Sequence, residues 1–344
     1  MSDDEATATT PTTPTVTFTP NTSEKIQSAL HSLTTIVNPT LSVTSSTTPL
    51  SILNECEIYS QIAALLRQPN SGAGDNNLCR WLYDTFQSNV ADLQLTVLRF
   101  LPIIAGVYLS RVAERKPQAG FEAVLLALYA HETTSRAGEP VTVTIPDMSH
   151  PSVYHESKAT INKNNATDKT IVVLSPLLEP HGTVRSTRRA RIVGVAFELF
   201  YSKISQMSIA PKIDFCKFCK IWAGQNGDMY KYFEDEDDEE DDEEAEVKIE
   251  KDKESEEFKK GRVPMPWELL QPILRILGHC LLGPNNKDTK LFEVASEACR
   301  CLFARAMHDV NPNAILPMRS LLRLSKNIDE FDATEPPKTD VISL

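Results

Sequence analysis

The chain has 344 residues, seven cysteines and a formal net charge of −12. Most of this charge is local, because residues 234–257 contain 17 Asp or Glu and 3 Lys and leave the remainder at +2. The total charge therefore supports no claim about nucleic-acid binding in either direction. Because the remainder is nearly neutral rather than strongly basic, we expect no nucleic-acid partner. An odd number of scattered cysteines without an apolar leader argues against a secreted disulfide scaffold and indicates a reducing compartment.

The N-terminal part alternates between polar segments and helical patterns. Residues 1–23 are rich in Thr and Pro and poor in large apolar residues, so we expect a disordered arm. A helical period begins at Ile26, stops at the Ser- and Thr-rich link 42–49, and resumes at Leu53. Beyond a Gly-rich loop, apolar residues with the spacing of one helix face predict another packed helix: Leu78, Trp81, Leu82 and Phe86.

The most apolar pattern of the chain runs from Leu93 to Val112. It is apolar almost all round, so we predict a core helix that is buried on most sides and kinked or broken at Pro102. Its apolar run is shorter than the stretch of about 20 residues that spans a membrane. A second strongly apolar helix is predicted from Phe121 to Tyr129.

An alternating pattern then predicts a strand. Val141, Val143 and Ile145 alternate with two threonines, as in a half-exposed strand. A single strand would leave its backbone groups unpaired, and residues 170–174 (T-I-V-V-L) are the good candidate for a partner. We therefore predict a small two-stranded β-ribbon on a helical body.

The C-terminal half is helical around one acidic interruption. Helices are predicted over 192–204 and 211–222, and two more follow Pro266. Twelve of the thirteen residues 234–246 are acidic, and their mutual repulsion predicts a solvated, disordered insertion over 227–263. Asn311 and Pro312 have the character of an N-cap and a first helical residue, so they open a last helix.

Together these patterns predict an all-α fold class. We expect about ten helices in a solenoid-like or bundled arrangement, with one small two-stranded β-ribbon. The helical domain comprises 24–226 and 264–330, and a C-terminal tail, 331–344, follows it.

Nothing in the sequence forms a complete catalytic or metal site, so we predict no enzyme activity and no cofactor. Cys216 and Cys219 have C-x-x-C spacing, but they lack further ligands and lie among apolar residues, which favours buried thiols. His131-Glu132 lacks the second histidine of a zinc-protease motif. No phosphate-binding glycine loop and no nucleophile elbow is present.

The most specific string of the chain follows the predicted strand: Pro151, Ser152, Val153, Tyr154, His155 and Glu156. This string resembles the hyccin family, as does its order after R-F-L-P at 99–102, two apolar helical patterns and Ile145-Pro146. The resemblance is clear over residues 93–201. It implies that the turn supports the fold, with the Tyr154 ring buried, or faces a partner.

Four arginines precede the helix predicted over 192–204: Arg185, Arg188, Arg189 and Arg191. They could form a solvated helix start, contact anionic lipid or another acidic surface, or pair with the acidic run. The sequence leaves these alternatives open.

The resemblance also implies a function, because hyccins are non-catalytic subunits of a plasma-membrane complex. The implied partners are the type III alpha phosphatidylinositol 4-kinase, a tetratricopeptide-repeat scaffold subunit and a palmitoylated membrane anchor protein. The chain would be cytoplasmic, recruited to the inner face of the plasma membrane, and would support phosphatidylinositol 4-phosphate production. The Thr-rich arm and the acidic run favour a plant-type member. The acidic run by itself suggests an alternative, an acidic chaperone or adaptor for basic proteins.

Overall fold

The computed structural model describes residues 20–37, 49–112, 114–146, 169–229, 261–283 and 288–331. The N-terminal part contains seven helices and the first strand: α1 Pro20–Ile36, α2 Pro49–Leu53, α3 Cys56–Arg67, α4 Asn77–Gln87, α5 Ala91–Leu98, α6 Leu101–Val112, α7 Ala119–Ser135 and β1 Val141–Pro146. The remainder contains β2 Lys169–Ser175, α8 Arg189–Ser202, a 3₁₀ turn Ile204–Gln206, α9 Ile209–Ala223, α10 Trp267–Leu282, α11 Thr289–His308 and α12 Pro312–Phe331. The predicted all-α fold class with one small β-ribbon is confirmed.

The long apolar pattern from Leu93 to Val112 divides into α5 and α6. Their axes differ by 42°. Pro102 is the second residue of α6, a position where the missing N–H of proline removes no helical hydrogen bond. Every side chain from Leu101 to Leu109 is buried, so α6 is the core helix that the sequence predicts. Among the described residues no single helix is long and apolar enough to span a membrane, although the bent α5–α6 pair meets the test of length and composition.

The helical packing combines contacts between successive helices, such as α11 with α12, and contacts between helices further apart in the chain. Helix α4 packs on α7, α7 on α8, α8 on α10, and α9 on α11. The aromatic centre of the bundle joins α8 to α9, where the Phe197 ring centroid lies 5.3 Å from that of Phe215 and 6.0 Å from that of Trp222.

The β-ribbon is antiparallel, as predicted, and pairs Val143 with Val172. However, the expectation of a half-exposed strand is wrong. Val143 and Ile145 on one face are 40% and 39% exposed, and Ile171 and Val173 on the other face are 67% and 55% exposed. Alternation predicts which residues share a face of a strand, but it does not predict whether another element covers that face. Among the described elements, β1 and β2 make extensive contacts only with each other.

Two predicted domain boundaries lie inside ordered structure. Helix α1 begins at Pro20, before the predicted boundary, because proline has the helical φ angle needed at a first position. Val263, predicted as insertion, is 6% exposed, and its N–H donates to the carbonyl oxygen of Trp222 at 3.2 Å. Burial of this apolar side chain attaches the end of the insertion to the body. Residues 1–19, 230–260 and 332–344 lie outside the described residues.

Gly194 on α8 gives a test of the helix packing. A Cβ at Gly194 would overlap the carbonyl oxygen of Glu268 on α10. We expect Gly194→Ala to lower the melting temperature, because overpacking of this kind costs about 1–3 kcal/mol. Gly278→Ala on α10 is the control, since its added Cβ would lie 3.5 Å from Leu321 Cδ2, an ordinary contact. Alanine favours a helix by about 0.5–1 kcal/mol, so the control keeps or raises the melting temperature. Equal losses in both variants would contradict the close approach of α8 and α10.

Candidate functional site

The candidate site consists of the β-ribbon and the segment 176–191 that leads from β2 to α8; we call it the ribbon site. The two strand ends, Pro146 and Lys169, flank residues 147–168. The predicted turn of Pro151 to Glu156 falls in that interval, outside the described residues, so its role in folding or partner contact stays a prediction. The described part of the site nevertheless shows how the ribbon is held.

A nearly buried ionic cluster fixes the base of the ribbon. Arg136, just after α7, contacts Glu132 at 2.5 Å and Glu198 of α8 at 2.9 Å. Its third contact is a hydrogen bond of 2.9 Å to the Ser175 hydroxyl at the end of β2. Burial alone would lower the pKa of Arg136, but the two carboxylates raise it above the usual value. The guanidinium therefore stays charged and links α7, α8 and β2.

Neutral contacts attach the segment that follows β2. The Tyr129 hydroxyl donates to the carbonyl oxygen of Glu179 at 2.7 Å, and the Tyr129 ring stacks on His181 with centroids 5.3 Å apart. Leu178 is buried, and its N–H donates to the carbonyl oxygen of Gly138 at 2.9 Å. The ribbon thus projects from an anchored base.

Two of the four predicted arginines serve this anchoring. Arg189 Nε donates to the Tyr108 hydroxyl at 2.9 Å, and that hydroxyl donates to Glu122 at 3.0 Å. Burial raises the pKa of Tyr108 to about 12, so its hydroxyl keeps its proton. Arg191 donates to the carbonyl oxygens of Pro176 and Leu177. Both guanidiniums therefore have structural roles within the chain.

The other two arginines remain exposed. Arg188 pairs with Glu179 at 3.3 Å, with 49% and 61% of the two side chains exposed. A pair of this kind contributes at most about 1 kcal/mol. Arg185 is exposed as well. The predicted contact with an anionic surface can thus use Arg185 and Arg188, and it stays a prediction.

The projecting part of the ribbon carries a single charge, that of Lys169, and among its described side chains the exposed ones are Val, Ile and Thr. Leu177, just beyond β2, is 58% exposed as well. No charged residue occurs within Val141–Pro146, and β2 has only Lys169 at its start. Exposed sheet edges are usually protected by charges, which would hinder pairing with other chains. This surface is suited to binding an apolar partner.

The buried cysteines lie away from this surface. Cys216 and Cys219 are both fully buried, as predicted. The neighbouring Cys280 thiol and burial raise the pKa of Cys216, which keeps it in the unreactive thiol form. Within the described ranges no group of His, Cys, Asp or Glu could hold a metal ion.

The sequence analysis missed the residues that anchor the ribbon. Glu132 and Arg136 stand four residues apart on one helix, a spacing that could have indicated their ion pair. Glu198 lies 62 residues from Arg136, and Tyr108 lies 81 residues from Arg189. No local pattern connects residues so far apart.

The ionic cluster predicts a large difference between two arginine variants. Arg136→Met leaves Glu132 and Glu198 without their nearly buried partner, so we expect a loss of about 3–5 kcal/mol in the free energy of unfolding. Arg188→Met removes an exposed pair and should cost less than about 1 kcal/mol. Urea unfolding followed by circular dichroism measures both values. Similar small losses would show that the cluster does not anchor the ribbon base.

One family model matches the chain over residues 44–340, and its description is Hyccin. The match extends from before α2 to beyond α12 and includes the whole ribbon site, whereas α1 lies in front of it. Since the match covers most of the sequence, the chain belongs to the hyccin family.

Proposed function

We propose that this chain is a non-catalytic subunit that binds a helical-repeat scaffold and stabilises a type III alpha phosphatidylinositol 4-kinase complex at the plasma membrane. The scaffold is a tetratricopeptide-repeat subunit, and a palmitoylated protein anchors the complex to the inner face of the membrane. The chain supports phosphatidylinositol 4-phosphate production without performing chemistry itself. Its Thr-rich arm and acidic run favour a plant-type member of the family.

The observation that carries this proposal is the exposed apolar ribbon on its anchored base. Ile171, Val173 and Leu177 are each more than half exposed. Burial of a side chain of this size in a partner contributes about 1.5–3 kcal/mol. The base is already ordered by Arg136 and Tyr129, so binding requires little further loss of conformational entropy.

The shape of the ribbon suits a helical-repeat partner. Two paired strands lie only about 5 Å apart, so a ribbon is a narrow, flat projection. Stacked helical repeats form extended concave surfaces with apolar grooves between helices. A stable obligate interface buries about 2,000 Å² or more, so the ribbon supplies one part of the contact and the helical body supplies the rest.

Substitutions on the ribbon test this contact. The double variant Ile171→Ser, Val173→Ser should lower the affinity for the scaffold at least about 100-fold, because two apolar side chains leave the interface. The melting temperature should change little, since both side chains already face solvent. Leu316→Ser on α12, where the leucine is 69% exposed, is the matched control and should keep scaffold binding.

Co-purification with the co-expressed scaffold, followed by titration of the purified proteins, measures this difference. Undiminished scaffold affinity in the double variant would exclude the ribbon as the contact. Affinity purification from cells with mass spectrometry then shows whether the kinase and the anchor accompany the scaffold.

Deletion of residues 234–246 separates the scaffold function from that of an acidic chaperone. Both flanks of the insertion are held by the body, Val263 through its hydrogen bond to Trp222 and Gly227 by packing against Arg300. We therefore expect the deletion to preserve the melting temperature and scaffold binding. Loss of binding to basic proteins such as histones, with no scaffold recovered from either form, would favour the chaperone.

A further inference from the structure

The last helix presents one continuous face to solvent. Helix α12 packs on α10 and α11 through Ala314, Met318, Leu322 and Ser325, all buried. Each helical residue turns by about 100°, which places the exposed residues of 312–326 within one sector of about 160°. This sector, which we call the α12 face, contains Pro312, Asn313, Leu316, Arg319, Ser320, Arg323, Leu324 and Lys326.

The α12 face combines positive charge with exposed leucines. Arg319, Arg323 and Lys326 lie along one flank, and residues 312–326 contain no Asp or Glu, while Asp329 and Glu330 follow in the last turn of α12. Leu316 lies near the middle and is 69% exposed, while Leu324 on the other flank is 52% exposed. The three cations also interact within the chain, and all three are exposed. Large apolar side chains and cations thus share one accessible surface.

Two nearby carboxylates reduce this charge only in part. Asp309, before α12, is paired with Arg262 at 2.6 Å and with Arg305. Glu293 of α11 lines a small cavity together with Lys326 and Arg300. Asp309 has two cationic partners and the Glu293 cavity has two cationic residues. Within α12 the three cations outnumber Asp329 and Glu330, so the face keeps an excess of positive charge.

Val310 adds an apolar side chain at the beginning of the α12 face. It is 78% exposed and has a φ angle of +51°, a conformation that β-branched residues rarely adopt. The turn between α11 and α12 is a Schellman motif, in which Asn311 N–H donates to the Ala306 carbonyl oxygen at 2.9 Å and Val310 N–H to that of Met307 at 3.2 Å. Glycine is the favoured residue at this position. The exposed valine adds strain without burial in the described fold, which points to use of its side chain outside the fold.

We propose that the α12 face and Val310 dock directly on an anionic lipid bilayer. Cations of this kind bind anionic headgroups, while leucine and valine enter the boundary between headgroups and acyl chains. Charge complementarity favours an anionic bilayer over an apolar protein groove, because the face places three exposed cations beside its leucines. The inference rests on the proposed function, in which a palmitoylated protein supplies the membrane anchor, and it adds a second attachment made by this chain. Weak single membrane signals commonly act in pairs.

Vesicle flotation with the full chain tests the inference, because aggregated protein sediments while vesicle-bound protein floats. The vesicles contain phosphatidylcholine alone or phosphatidylcholine mixed with phosphatidylserine. We expect flotation only with the anionic vesicles, and less of it at high salt. Arg319→Gln with Arg323→Gln should weaken binding about 30-fold, since each cation near the surface contributes a factor of about five. Leu316→Ser should weaken it about tenfold.

Two matched controls lie outside the α12 face. Arg80→Gln removes an exposed arginine from α4, and Leu177→Ser removes a 58% exposed leucine from the ribbon site. Both should float like the unmodified protein. Val310→Gly gives the sharpest result, because glycine relieves the positive-φ strain and raises the melting temperature, while loss of the side chain weakens vesicle binding about tenfold.

Equal flotation of the unmodified chain and the α12 variants would overturn the inference, as would equal binding to neutral and anionic vesicles. Loss of scaffold binding in Leu316→Ser, with flotation unchanged, would assign the α12 face to a protein partner instead. Co-purification with the scaffold is measured separately on each variant. If only the proposed scaffold binding is wrong, the chain will not co-purify with the scaffold, but the variants will still show the expected flotation pattern.

Discussion

The enclosure of α6 is the constraint on which the rest of this fold depends. A helix that is buried from Leu101 to Leu109 has no face for solvent, so it needs neighbours on every side. Those neighbours are α3 and α7 from before the ribbon, and α8 and α9 from after it. Gly106 permits the closest of these contacts, because the Phe218 ring of α9 occupies the space that a Cβ would need. One central helix thus unites both halves of the chain.

Charged residues are placed differently at the two exposed surfaces, the ribbon and the α12 face. At the ribbon, the arginines lie in the base, where Arg136 contacts Glu198 and Arg189 contacts Tyr108, and the projecting strands carry only the charge of Lys169. On α12 the arginines stay at the surface beside leucines. A neutral apolar surface favours burial in a protein interface, whereas a cationic apolar surface favours the headgroup region of a membrane. In the proposed complex, two surfaces of different chemistry would allow this chain to hold a protein partner and a bilayer at the same time.

Features that depend on local spacing could be predicted from the sequence. Contacts between residues that are far apart in the chain could not. Apolar periodicity located α4, and the prolines at 102 and 312 located the starts of α6 and α12. Strand pairing between 141–146 and 169–175 was also predictable, since an unpaired strand is costly. The exposure of both ribbon faces was not predictable, because alternation does not reveal whether another element covers a face. The role of Arg189 depends on Tyr108, which is 81 residues away. The motif most specific for the family lies between the strands, outside the described residues.

The attachment of the acidic insertion has a consequence for how this fold tolerates change. Gly227 packs on the backbone of Arg300, Gly261 packs on Ile221, and Val263 bonds to Trp222, so the chain on both sides of residues 230–260 is held near the end of α9. Doubling the length of such a loop costs only about 0.6 kcal/mol in closure entropy. The core therefore places little constraint on the length or composition of this segment. A fluorescent domain grafted between Met229 and Gly261 would report the position of the protein in living cells while leaving the ribbon, the last helix and both termini unmodified.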